Sequence, residues 1–96
     1  MRVKWVEEAL ERVSLSGDVK RKVEEWVKGL RREELERLRE YEETGDALPC
    51  PLIDPYREGG LLVKLVKHEG KFMVAAGVAE HGGLVEEYYV AEVEAL

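Results

Sequence analysis

The chain has no asparagine and no glutamine in 96 residues. Amide side chains deamidate when hot, whereas charged surface networks become relatively more favourable because the desolvation penalty of charge falls with temperature. With 38% of its residues charged, the composition is that of a heat-adapted protein. The same absence removes the bidentate amide contact by which Asn or Gln reads adenine.

Cysteine is nearly absent too. A single Cys50 excludes an internal disulfide and the paired thiolates of zinc or iron–sulfur sites. No apolar run approaches the ~20 residues of a membrane span. The opening Met1–Glu8 carries acids where a signal peptide needs an apolar stretch. These absences lead to the expectation of a soluble cytoplasmic protein with no membrane partner.

Basic residues are scarce in the second half. Residues 1–45 hold 11 basic and 12 acidic side chains, and residues 46–96 hold 4 and 9, so the halves carry −1 and −5 of the net −6. From Glu80 onward there are five Glu and no basic residue. That end would repel a phosphate backbone.

What is present changes its period near Gly45. Val3, Val6, Leu10 and Val13 recur at helical spacing, and so do Val19, Val23, Trp26, Val27 and Leu30. Ser16 or Asp18 suits the N-cap of the second helix. The apolar stripe loses phase at Gly29, which predicts a break and a third helix over about 31–43 carrying Leu35, Leu38 and Tyr41. Glu8–Arg12, Glu24–Lys28 and Glu33–Arg37 each place the acid four residues before the base, the orientation that supports a helix.

Residues 46–60 hold all three prolines and the pair Gly59-Gly60, and read as an ordered loop. Beyond it, Leu61–His68 and Lys71–Ala79 read as strands joined at Glu69-Gly70, a two-residue hairpin turn. Residues 84–94 read as a third strand, with a C-terminal helix as the rival. The expected fold is therefore one α+β domain: two or three short N-terminal helices (1–45), the loop (46–60), and a three-stranded antiparallel β-meander (61–96).

Both faces of Lys71–Ala79 are apolar, and one is lined by small residues. This suggests a homodimer or a protein partner on that face. Met73, Ala75, Gly77, Tyr88 and Tyr89, with the acidic Glu86, Glu92 and Glu94, are the candidate partner-binding residues.

Catalytic templates are not met. Ser14, Ser16 and Thr44 are explained by helix capping, and no phosphate-binding glycine loop or Gly-x-Ser-x-Gly elbow occurs. His68 and His81 fall at opposite ends of the central strand, roughly 30 Å apart, so neither a metal nor a cofactor is expected. The leading expectation is a non-enzymatic interaction or regulatory module, a self-associating adaptor or inhibitor. One alternative is a small-ligand or hydrolytic site at Cys50, Asp54, Tyr56 and His81. A second is nucleic-acid binding through Arg21, Lys28, Arg31 and Arg32, against which the sequence pI of about 5.0 weighs.

Overall fold

The computed structural model describes residues 1–80, 83–84 and 86–94. Five strands form one antiparallel sheet: β1 (Arg2–Trp5), β2 (Ala47–Pro49), β3 (Leu61–His68), β4 (Lys71–Glu80) and β6 (Tyr88–Glu94). Their spatial order is β1-β6-β4-β3-β2, and the two-residue β5 (Gly83–Leu84) pairs with the end of β4. Among the described residues, four helices accompany them: α1 (Glu7–Leu10), α2 (Gly17–Lys28), α3 (Arg32–Glu36) and α4 (Tyr41–Thr44).

This corrects the three-stranded meander. The extra strands come from segments assigned to a helix and a loop. Arg2–Trp5 is an edge strand because Val3 and Trp5 alternate with Arg2 and Lys4. Val3 and Trp5 lie opposite Val93 and Ala91, while Arg2 and Lys4 lie opposite Glu94 and Glu92. Opposite charges across a pair favour this register. The helical spacing holds only from Val6 onward, where α1 spans a single turn. In the loop, Ala47–Pro49 pairs with β3 at the other edge of the sheet, where proline is tolerated.

The second helix is as expected. Ser16 caps α2, its Oγ accepting from the Val19 N–H at 3.1 Å, and the helix stops at Gly29. Val19, Val23 and Val27 form its buried row. The third expected helix is split. Leu38 is buried in the core, and Glu40 forms a parallel bridge to Lys67. The Glu40 carboxylate also accepts the Gly70 N–H at 3.0 Å. That contact draws the chain around the β3 edge, and the single turn α4 follows. The i,i+4 pairing of Glu24 is replaced as well, since its carboxylate accepts from Trp5 Nε1 at 2.9 Å.

The β3–β4 hairpin turns at Glu69-Gly70 with both residues at positive φ, 51° and 79°, as a tight two-residue turn requires. A β-bulge sets β6. Val74 faces Ala91 and Ala75 faces Tyr89, leaving Val90 as the extra residue. Consequently Val90 and Ala91 are both buried, and Tyr88 and Tyr89 lie on opposite faces of the sheet.

The core lies between one sheet face and the helices. Leu61, Val63, Leu65, Val74, Ala76 and Val93 meet Val19, Val23, Val27, Leu30 and Leu38 there. Among the described residues, no helix is long and apolar enough to cross a membrane.

Candidate functional site

Among the described residues, those singled out from the sequence as a ligand site do not converge. Cys50 is buried in the aliphatic core, and burial pushes its thiol pKa up. Tyr56 is 99% exposed, so the two never share a pocket. Asp54 is occupied locally, accepting the Tyr56 N–H at 3.0 Å and pairing with Arg57. His81 lies outside the described residues. Of the basic residues, Arg21 is paired with Asp18 and Arg31 with Glu34. Arg32 is exposed, and Lys28 stands at the end of α2.

The proposed sheet-face surface is divided by the fold. Tyr88 lies on the core side, while Met73, Ala75, Gly77, Tyr89 and Glu92 lie on the second face. There the close approach that small residues permit is made by the chain itself. Ala75 is fully buried, and a Cβ on Gly77 would stand 3.1 Å from the Glu86 carbonyl oxygen. Nor is the acidic strand an edge. β6 runs between β1 and β4, and Arg2 holds Glu94 in an ion pair that lowers the carboxyl's pKa.

A polar cluster occupies this second face. The Lys64 ammonium donates to Tyr41 Oη at 2.9 Å and pairs with the Glu87 carboxylate, and Tyr41 Oη donates to Glu87 at 2.9 Å. Burial alone would lower the Lys64 pKa, but its bonds to Glu87 and Tyr41 outweigh this and raise it. Lys64 is therefore held as a cation, the opposite of what a nucleophilic lysine needs. Beside it, His68 stacks on Tyr89 with centroids 4.5 Å apart, and its Nδ1 lies 3.4 Å from a Glu42 oxygen. Lys64, Tyr41 and Glu87 bond to one another, so they act as a clasp holding α4 and residues 86–87 onto the sheet. Among the described residues, no set of three His, Cys, Asp or Glu is placed to hold a metal.

The opposite end of the sheet is different. Val6 N–H donates to the Val90 carbonyl at 2.8 Å. By alternation, Lys4 and Arg2 bond inward to β6, and the N–H and C=O groups of Val3 and Trp5 point away from the sheet. No described residue pairs with them. Alongside runs a cleft of about 380 Å³ lined by Met1, Arg2, Val3, Glu24 and Lys28. α2 forms its far wall. Lys20, Glu24 and Lys28 sit one turn apart on the same side of that helix, and the Lys20 ammonium lies 5.9 Å from the Trp5 ring centroid. An open strand edge, a cleft and a helix wall together make a seat for an extended chain.

Sequence reasoning missed this edge because Arg2–Trp5 is too short for period alone to distinguish strand from helix. The available signal was complementarity: basic–apolar alternation in Arg2-Val3-Lys4-Trp5 against acidic–apolar alternation in Glu92-Val93-Glu94. No protein-family model, curated protein or solved structure matches this chain.

Proposed function

We propose that this chain is a non-enzymatic interaction module, an adaptor or inhibitor, that receives an extended segment of another protein on the free edge of β1. The observation that carries this reading is the pair of outward-facing backbone units at Val3 and Trp5 beside the cleft under α2. Strand addition draws its affinity from main-chain hydrogen bonds and its selectivity from pockets for alternate side chains. The edge is short and carries Arg2 and Lys4, which discourages pairing with a strand of like charge. Among the described residues, Lys64 is engaged by Tyr41 and Glu87, and Cys50 is buried.

The test is a displayed library of random extended peptides, screened against the protein and against Val3→Pro. Proline at Val3 removes an N–H that faces away from β6, so the sheet keeps its own bonds. Binders that lose affinity for Val3→Pro support the reading. Binders indifferent to that change, or none at all, count against it.

A homodimer through the second face is the other reading. The partly exposed Leu62 and Met73 favour it. Light scattering across protein concentrations tests it, with Met73→Lys expected to dissociate any dimer formed there.

A further inference from the structure

We infer that the segment received by β1 alternates acidic and apolar side chains, with acids opposite Arg2 and Lys4 and an apolar residue opposite Val3; this rests on the edge-strand reading above. The sheet itself supplies the template. On its inner side β1 already pairs with such a segment, Glu94 opposite Arg2, Val93 opposite Val3 and Glu92 opposite Lys4. A strand has the same two faces toward both neighbours, so an outer strand meets the same chemistry. Its residues opposite Arg2 and Lys4 fall on the second face, and the one opposite Val3 falls on the cleft side.

The basic groups keep capacity for this. Arg2 pairs with Glu94 yet its side chain remains 66% exposed. Lys4, on the same face, forms no ion pair among the described residues. Glu24, the acid in the cleft wall, is engaged by Trp5. Glu7 and Glu8 follow β1 directly, so they limit the seat at its Trp5 end and hold the acids of the incoming segment toward Arg2 and Lys4.

The same charges disfavour a second copy as occupant. Two β1 edges meeting about a two-fold axis would set the Arg2 and Lys4 rows against each other, and like charges directly opposite are destabilising. The partner is therefore a different chain.

Three end-blocked, fluorescently labelled hexapeptides test this by anisotropy: alternating Glu-Val, alternating Ser-Val and alternating Lys-Val. The acidic peptide is expected to bind at least tenfold tighter than the lysine peptide at low salt, with the gap narrowing as salt rises. Lys4→Glu, an exposed change on the face that meets those acids, should weaken the acidic peptide. Val3→Pro should abolish binding of all three, with the hairpin amide spectrum unchanged.

Equal binding of acidic and lysine peptides, still lost in Val3→Pro, would overturn the acidic preference while leaving the edge seat intact. Failure of every peptide, or binding indifferent to Val3→Pro, would overturn both. A dimer dissolved by Val3→Pro would make a second copy the occupant and overturn the inference.

Discussion

Gly77 of β4 lies so close under Glu86 that a Cβ there would stand 3.1 Å from the Glu86 carbonyl oxygen and 3.5 Å from Glu87 Cα. The missing side chain lets residues 86–87 cross the sheet and deliver Glu87 to Lys64. Gly77→Ala should force that segment outward at a cost of about 1 kcal/mol, in the range of modest overpacking. Gly60→Ala should cost more, about 2 kcal/mol or above. Gly60 has φ +86°, and its added Cβ would meet the Ala79 carbonyl oxygen at 2.7 Å. Gly17→Ala, with nothing within 4 Å, should stabilise by about 0.5 kcal/mol. Chemical denaturation of the three variants checks the order, and a different ranking would contradict this packing.

Lys64 links β3, α4 and the entry to β6 through Tyr41 and Glu87. Lys64→Met should cost about 1–2 kcal/mol, between the values for exposed and fully buried ion pairs. The raised pKa of Lys64 means its contribution is present below the ordinary value of 10.5 and lost as pH climbs through the raised one. Tyr89 acts in the same direction. Burial, helped by Glu42, raises its pKa above the ordinary 10.0. Melting temperature should therefore fall above about pH 10, and less steeply in Lys64→Met. An unchanged alkaline slope in that variant would remove Lys64 from the account.

At the acid end the sign reverses. The Arg2 guanidinium holds the Glu94 carboxyl below its ordinary 4.5, and Lys22 with Arg21 holds Asp18 below 3.8. Their contributions are present above those ordinary values and are lost as pH falls through the lowered ones. Arg2→Met should flatten the fall in melting temperature between about pH 5 and pH 2 and slightly lower stability at neutral pH. Asp18 is exposed and Glu94 half-buried beside an exposed Arg2, so the effects are small and should shrink with added salt.

Cys50 should be inert while the protein is folded. Its thiol is buried among core aliphatics with its pKa raised by desolvation, and thiolate is the reactive form. A thiol reagent at pH 8 should label it only on unfolding, so labelling rates should follow denaturant concentration. Fast labelling of the native protein would place Cys50 at the surface.

Much of the central architecture was legible. The β3–β4 hairpin follows from clean alternation around Glu69-Gly70, and α2 from its valine row and its Ser16 cap. What escaped was long-range. Arg2–Trp5 becomes a strand because β6 offers it a charge-matched neighbour, and no window around residue 4 contains Glu92. The 31–43 segment breaks because Glu40 finds the Gly70 N–H in the hairpin turn, a tertiary bond that local propensity cannot register. Tyr41 then passes to the second face, leaving Leu35 and Leu38 against the core. The candidate seat was missed for the same reason, since its edge exists only once β1 is known to be a strand.

The pairing of β1 with β6 also dictates an order of assembly. Arg2 and Glu94 stand 92 positions apart. At translation rates of about 5–20 residues per second, β1 waits roughly 5–20 s for its neighbour to be synthesised. The β3–β4 hairpin closes over a two-residue turn and needs no such wait. A chain truncated after β4 should therefore hold its hairpin while Arg2–Trp5 still lacks its neighbour β6. The segment whose neighbour is synthesised last is then one of the sheet's two edge strands.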